Sequence, residues 1–376
     1  MRLNINILGD FCVKSLGNLH CGDLLSNCIS KADLNVVNLE APIFIQNATP
    51  AVKSGPHLSQ DEGVPTFLEK NGFNVVLLAN NHMMDYGETA FSDTVKHFSS
   101  QTLSVGAGTF EEAYCVKIAE VNHVKIGFLN ISQYEFGMIE DNGVGQKVGV
   151  AWMLHPCIDE LIVNAQKTCD YLIVLPHAGL EFFDLPLPEI RSLYRHFVNM
   201  GADAVIGGHP HVPQSWEMYH GKPILYSLGN FCFDKEDKHD MWYDGLIANL
   251  SISDGGIEFN TQLIHFDRSI REIEICDNSS IFDRLASNAQ LLLDEKKYSS
   301  VVNQKCLSLV TTYNQYFEMG GYYQIGIRKS LGHIRRYILS RLGLRTPQHV
   351  QPAHMINNLR CETHRWVLSR IYELTH

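Results

Sequence analysis

The chain has 376 residues, of which 45% are hydrophobic and 19% are charged, so it can bury a large core. Its formal net charge of −11 argues against nucleic acid as a partner, because phosphate binding requires a broad positive face. Ten cysteines at irregular spacing indicate reduced thiols rather than a disulfide framework.

The N-terminus points to a cytoplasmic protein. It runs directly into an apolar, strand-like segment without a basic flank or a small-residue cleavage site. No apolar stretch of the chain reaches the roughly 18 residues that a membrane-spanning helix needs.

The first three apolar runs are typical of buried strands, and each ends in a side chain that can bind a metal ion or take part in catalysis. The first run leads to Asp10, the second to Glu40, and the third to Asn81 and His82. Residues 87–100 then have the apolar spacing of an amphipathic helix.

The middle of the chain continues the alternation of strands and helices. A fourth apolar run ends at His177, and residues 188–200 are predicted to form a helix that begins at a proline and ends before Gly201. Residues 246–253 and 257–266 are typical of strands joined by a glycine-rich hairpin turn. Helices around two packed sheets would account for this order of elements.

A glycine-rich loop after the fifth apolar run carries two imidazoles one residue apart. Its two glycines allow a sharp turn, and Pro210 fixes the backbone between His209 and His211. Because neutral imidazole is a common ligand of zinc and similar ions, the loop is a candidate metal site. A pair of histidines is weak evidence alone, and the site needs ligands from elsewhere in the chain.

The side chains at the ends of the five runs are expected to converge. In open α/β architectures, sites assemble where the strands end at their carboxyl side, even when the residues are far apart in the sequence. Each residue also has a simpler interpretation: Asp10 as a cap, Glu40 as a surface charge, and Asn81 as a turn former. The five together favour a functional site.

The C-terminal segment differs from the rest of the acidic chain. In residues 321–376 the basic residues outnumber the acidic ones and alternate with apolar residues, as in a basic amphipathic helix. Its basic positions include Arg328, Lys329, Arg335, Arg336, Arg341 and Arg345. The helix either packs as an ordinary solvated element or contacts an anionic membrane surface, a protein partner or an anionic polymer.

The order and spacing of the motifs resemble the CapA family of poly-γ-glutamate capsule synthesis proteins, within the calcineurin-like metallophosphoesterase superfamily. The motifs are Gly9-Asp10, Asn38-Leu39-Glu40, Leu78 to His82 with Asp85, His177 with Gly179 and Glu181, Gly208 to His211, and Tyr226 to Phe231. The resemblance covers residues 1–267 and implies an α/β fold, a four-layer αββα sandwich. Residues 268–376 would be a helical, basic extension.

The resemblance also implies a centre of two divalent metal ions bridged by Glu40. The other implied ligands fall into two sets, Asp10 with His211 for one ion, and Asn81, His177 and His209 for the other. Mixed oxygen and nitrogen donors suit manganese, iron or zinc.

The first motif departs from the superfamily pattern, in which a histidine stands two residues after the aspartate. Cys12 occupies this position, either as a substitute ligand or as a buried thiol, so the ion of Asp10 and His211 is predicted to be the weaker one. The resemblance implies that His82 is the catalytic acid. Met83 replaces the acidic residue expected after it, and Asp85 is predicted to orient His82 instead.

Three further residues are candidates for the substrate pocket: Glu181, Asn230 and Lys53. Glu181 would hold the His177 imidazole or contact the substrate, and Lys53 in a glycine-containing loop would meet an anionic substrate. Surface, turn and solvated roles are the alternatives for these three residues.

The sequence leads to one main function and two alternatives. The main hypothesis is a metal-dependent hydrolase that cleaves a phosphoester during synthesis of capsule or another anionic surface polymer, with an anionic small molecule or polymer as substrate. The first alternative is hydrolysis of γ-glutamyl amide bonds. The second is a non-catalytic polymer-assembly or binding subunit with a degraded metal site.

Overall fold

The computed structural model describes residues 2–140, 147–253, 255–313 and 352–375. The chain divides into two compact units, one of Met1–Ala51 with His57–Tyr298 and the other of Val52–Pro56 with Ser299–His376. The boundary after residue 267 stays a prediction, and the first unit continues to Tyr298, through one more strand and one more helix.

The strands of the first unit are numbered in chain order. They are β1 (Leu3–Cys12), β2 (His20–Cys21), β3 (Leu34–Leu39), β4 (Val75–Leu77), β5 (Leu103–Val105), β6 (Ala107–Gly108), β7 (Lys117–Val121), β8 (Val124–Ser132), β9 (Gly149–Val150), β10 (Tyr171–His177), β11 (Ala204–Ile206), β12 (Trp216–Tyr219), β13 (Lys222–Leu225), β14 (Asn230–Phe233), β15 (Asp244–Ser253), β16 (Gly256–Asp267) and β17 (Glu272–Cys276).

The helices are α1 (Asp23–Lys31), α2 (Val64–Lys70), α3 (Gly87–Lys96), α4 (Phe110–Ala113), α5 (Cys157–Ala165), α6 (Pro188–Met200), α7 (Ser279–Leu291), α8 (Glu295–Ser308), α9 (Pro352–Arg360) and α10 (Glu362–Thr375). The bounds of α6 are those predicted, and Gly201 ends it with a φ of 128°. Helix α3 ends at Lys96, four residues before the predicted end.

The first unit contains two large sheets. Within the described residues, one sheet has nine strands in the order β2-β17-β16-β15-β1-β3-β4-β5, with β14 pairing with β1. The other has six strands in the order β12-β13-β11-β10-β8-β7. Strands β1, β3, β4 and β5 run parallel to one another, as do β8, β10, β11 and β13, so each sheet has an edge where parallel strands end together.

The two sheets pack face to face with helices outside them. Alternate residues such as Ile7 on β1 and Ile173 on β10 belong to one buried cluster between the sheets. The opposite face of the larger sheet packs on α1, α2 and α3 through residues such as Leu25 and Phe91. Helix α6 contacts β11 and β13 of the smaller sheet, and α5 packs beside α6. This arrangement confirms the predicted four-layer αββα sandwich.

The described C-terminal residues of the second unit, 299–313 and 352–375, are mostly helical, which confirms a helical C-terminal extension. Within it, the hydroxyl of Tyr313 lies 2.7 Å from Nδ1 of His364, and Arg370 donates to Oδ1 of Asn303 at 3.2 Å. The predicted basic positions at 328–345 lie outside the described residues. Across the residues that the structure describes, no helix is both long and apolar enough to cross a membrane.

Candidate metal centre

A bulge in β1 turns the Asp10 carboxylate towards the space between the two sheets. Before the bulge, Ile5 and Ile7 face the core between the sheets. The pairing of β1 with β3 then skips Gly9, which shifts the alternation by one residue. As a result, Phe11 packs on the helical side of the sheet. A Cβ on Gly9 would lie 1.9 Å from the backbone oxygen of Gly229, so only glycine fits this position.

Asp10, Glu40 and His211 form the first ligand set. Each offers a ligand atom, and these atoms all lie within 4.8 Å of one another. Oδ2 of Asp10 lies 3.3 Å from Nδ1 of His211, and Oε1 of Glu40 lies 3.4 Å from Nε2 of the same ring. All three side chains are buried. These three residues from separate strand ends therefore meet as the sequence predicts.

Asn81, His177 and His209 form the second ligand set. Nε2 of His177 lies 3.1 Å from Oδ1 of Asn81, 3.2 Å from Nδ1 of His209 and 3.7 Å from Oε1 of Glu40. These atoms are all able to donate a lone pair to a cation. Glu40 is therefore near both sets, as its predicted bridging role requires, and that role stays a prediction.

The loop after β11 brings the two histidines to different sets by means of an unusual backbone. His209 and His211 have φ angles of 93° and 58°, in a region that residues other than glycine rarely adopt. Before them, a Cβ on Gly208 would lie only 3.2 Å from Oδ1 of Asp10. The loop thus combines backbone strain and close packing, as expected where a site fixes its geometry.

The buried oxygens of the two carboxylates fit a metal ion. Within the described residues, neither carboxylate oxygen of Glu40 has a hydrogen-bond partner, and nor does Oδ2 of Asp10. Burying carboxylates in this way is costly unless a cation is bound or protons neutralise them. Nitrogen and oxygen donors together suit manganese, iron or zinc.

The pKa shifts of the buried carboxylates and of His177 also favour a bound cation. Burial, together with repulsion from Asp10, raises the pKa of Glu40 well above its ordinary value. Burial also tends to raise the pKa of Asp10, but its contact with His211 lowers it overall. Burial lowers the pKa of His177 to about 3, so its imidazole is neutral and can act as a ligand at neutral pH.

His82 and Asp85 form a hydrogen-bonded pair beside the second ligand set. Nδ1 of His82 lies 2.7 Å from Oδ2 of Asp85, which also accepts from the backbone N–H of Leu58 at 2.7 Å. Oδ1 of Asn80 accepts from the backbone N–H groups of His82 and Met83, which fixes the turn. The pair has the geometry predicted for Asp85 orienting His82, and their catalytic roles stay predictions.

Cys12 lies in an apolar environment. It belongs to a buried cluster with Phe233 and Trp242. Burial, followed by repulsion from Glu40, raises the pKa of its thiol well above the ordinary value, which favours the protonated form. Among the described residues, the group that could hold an ion consists of Asp10, Glu40 and His211, without Cys12. Ligation by Cys12 stays a prediction without support from this geometry.

The three predicted pocket residues lie in different environments. Glu181 is exposed, and its negative charge acts to raise the pKa values of Glu40 and His211. Asn230 is buried, with Oδ1 3.0 Å from Nδ1 of His211, so it contacts a candidate ligand. Lys53 is buried within Val52–Pro56, which belongs to the second unit, and its role stays a prediction.

Several residues of the site were missed from the sequence. Asn38 on β3 donates to Oδ1 of Asp10 at 2.8 Å and lies 3.3 Å from Nδ1 of His177, so it holds one member of each ligand set. Gln133 and Glu135 follow β8 and lie near His209. Asn38 stands two residues before Glu40, so in an extended chain the two side chains point to the same face. This spacing was the signal available in the sequence.

Three aromatic rings pack near His211, and they were also missed from the sequence. The ring centroids of Phe233 and Trp242 lie 5.0 and 5.1 Å from that of His211, and Phe182 lies 6.4 Å away. Phe182 and Trp242 are stacked at 5.6 Å. These rings restrict the access of water to one face of the His211 imidazole.

Residues 21–235 match the family model described as bacterial capsule synthesis protein PGA_cap. The chain belongs to this family. The PGA_cap match confirms the resemblance to CapA proteins and contains every predicted metal ligand except Asp10 and Cys12.

Two curated relatives support the assignment to the PGA_cap family. A capsule biosynthesis protein CapA from Bacillus anthracis is 31% identical over 251 residues, 62% of this chain and 60% of that protein. A PGA biosynthesis protein CapA from Bacillus subtilis strain 168 is 33% identical over 205 residues, 53% of this chain and 52% of that protein. The aligned region therefore spans only about 52–60% of the length of these relatives.

Among solved structures, the Thermus thermophilus sulfate thiohydrolase SoxB in complex with glycerol is similar over 64% of this chain and 41% of its own. The two chains share 12% sequence identity, and the TM-score is 0.40.

Proposed function

We propose that this chain is a metal-dependent hydrolase that holds two divalent ions and cleaves a phosphoester during synthesis of capsule or a related anionic surface polymer. The observation that carries the proposal is the pair of ligand sets that meet at Glu40, whose buried oxygens have no hydrogen-bond partner among the described residues. The family and the names of its relatives support the link to capsule synthesis.

The ligand sets give each residue a task. Asp10 and His211 would hold one ion, Asn81, His177 and His209 the other, and Glu40 would contact both. When bound, such ions lower the pKa of water and stabilise charge that develops on the reacting group. Their positive charge would also attract an anionic substrate to a site that is otherwise lined by carboxylates.

The His82–Asp85 pair would supply the proton that the leaving group needs. Asp85 holds Nδ1 of His82, so donation to a substrate would fall to Nε2. The carboxylate also stabilises the protonated imidazole before transfer. This pairing fixes both the ring orientation and the nitrogen that faces the reaction.

Replacement of His82 tests the catalytic proposal. With manganese or zinc loaded, His82→Ala is expected to keep its metal and to hydrolyse an alkyl phosphodiester, whose alkoxide leaving group needs a proton, about 100-fold to 10,000-fold more slowly, because the general acid is lost. His123→Ala, at a surface histidine, is the matched control and should match the wild type. Turnover that is unchanged in His82→Ala would remove its assigned role.

The names of the relatives favour one alternative, which is γ-glutamyl amide hydrolysis. The Bacillus subtilis relative is a PGA biosynthesis protein, and a γ-glutamyl polymer contains amide bonds. The same assay with γ-glutamyl peptides distinguishes the two reactions. Turnover of the peptides without turnover of phosphodiesters would favour the amide reaction, and no turnover of either by the metal-loaded protein would contradict both.

A further inference from the structure

Gln133 and Glu135 lie beside the His209 imidazole, on the side of the ring away from His177. Both follow β8, whose last residues pair with the end of β10. Nε2 of Gln133 lies 2.9 Å from Nε2 of His209, and Oε1 of Glu135 lies 3.9 Å from the same ring nitrogen. Nδ1, on the other side of the ring, is the atom that faces His177.

The neighbours of Gln133 determine which end of its amide faces His209. Its Oε1 accepts from the backbone N–H of Gly179 at 3.0 Å, and its Nε2 donates to Oε1 of Glu135 at 2.9 Å. The amide therefore presents its NH2 group to the imidazole. The NH2 group of Asn38 lies 3.3 Å from Nδ1 of His177, so the proton of His177 resides on Nε2, which faces Nδ1 of His209. In the metal-free protein, a hydrogen-bond donor therefore faces each ring nitrogen of His209.

Metal binding determines which nitrogen of this ring carries the proton. If Nδ1 of His209 holds an ion with Asn81 and His177, its lone pair must face the ion, and the proton must reside on Nε2. Nε2–H would then oppose the NH2 group of Gln133 at 2.9 Å. A ligand imidazole needs an acceptor on this side, and a carboxylate is the usual one.

We propose that Glu135 is a positioning residue for His209 that accepts a hydrogen bond from Nε2 when Nδ1 holds a metal ion. This inference rests on the proposed two-ion centre. Gln133 keeps the carboxylate near the ring in the metal-free protein, and a movement of about 1 Å brings Oε1 of Glu135 into hydrogen-bond distance. Glu135 would thereby fix the tautomer and increase the basicity of the ligand nitrogen.

Zinc binding to Glu135→Gln tests the inference by calorimetry. The wild type is expected to bind two ions, and the substitution should weaken one of them about 10-fold to 100-fold without changing the other. Glu120→Gln is the matched control, since Glu120 lies 4.0 Å from His123 on an exposed surface. Equal affinities in Glu135→Gln and the wild type would overturn the inference, and so would equal weakening of both ions.

Histidine side-chain NMR supplies a readout that a general structural effect would not move. His209 is assigned by comparison with His209→Asn. In the zinc-bound wild type its proton should reside on Nε2, and this Nε2–H should exchange faster with water in Glu135→Gln. Equal exchange rates in the two zinc-bound proteins, or a zinc-bound His209 without a proton on Nε2, would contradict the inference. A wild type that binds fewer than two ions would instead contradict the proposed function, and with it this inference.

Discussion

Glu40 connects the two halves of the candidate centre. It is fully buried, and its Oε1 lies 3.7 Å from Nε2 of His177 and 3.4 Å from Nε2 of His211. In the absence of a cation, its charge is repelled by Asp10, and its pKa is raised. A side chain that is unfavourable in the metal-free protein and favourable with ions bound is expected of a ligand rather than of a structural residue.

Glu40→Gln should stabilise the metal-free protein and remove its response to metal. The amide removes the buried charge and can donate a hydrogen bond to Asp10. The free energy of unfolding, measured in urea with a chelator present, should therefore rise by about 1–3 kcal/mol. The increase in melting temperature on adding zinc should be lost, because binding to the native state stabilises it. Glu120→Gln controls for the charge change at an exposed site. A metal-free Glu40→Gln protein that is less stable than the wild type would contradict this interpretation.

The ligands at strand ends could be predicted, whereas their supporting residues could not. Asp10, Glu40, His177 and the histidine loop follow apolar runs, and such runs reveal where a buried strand ends. Gln133 and Glu135 also follow a strand, but their role depends on contacts with His209, far along the chain. Glutamine and glutamate after a strand are most often surface residues, so the sequence offers no distinguishing signal.

At the scale of elements, the bulge in β1 decides whether Asp10 faces the site. A strand that alternated regularly through Gly9 would direct Asp10 to the helical side of the sheet, where Phe11 now packs. The alternation of β1 predicted the strand, which continues two residues past Asp10 to Cys12. It did not predict the bulge, because one glycine in an apolar run is compatible with both an even and a shifted strand.

Gly9→Ala is expected to damage both the packing of β1 and metal binding. Its Cβ would lie 1.9 Å from the backbone oxygen of Gly229. Relief of this clash would move β1 or the segment at Gly229, and either movement would shift Asp10. We expect a loss of about 1–3 kcal/mol in the free energy of unfolding and weaker zinc binding. Gly63→Ala is the matched control, since its Cβ would approach only the ends of two side chains, Leu16 at 3.1 Å and Asp61 at 3.3 Å. Wild-type stability and zinc affinity in Gly9→Ala would show that β1 tolerates a side chain there.

At the scale of the whole molecule, two sheets with parallel strands place their carboxyl ends at one site. The alternation of strands and helices predicted this architecture, because strands followed by helices favour parallel sheets covered on their outer faces. The end of the first unit has no clear signal in the sequence. Strand β17 and helix α7 follow the last family motif and carry no motif of their own, yet they belong to the first unit.

The number of metal ions per chain is the most direct test of the two-ion centre. Native mass spectrometry of the zinc-loaded protein should find two ions in the wild type. His177→Ala and His211→Ala should each retain one, because each removes a ligand from a different set. A wild-type protein without stoichiometric metal would contradict the proposed hydrolase, and loss of the same single ion in both variants would contradict the assignment of the two histidines to different sets.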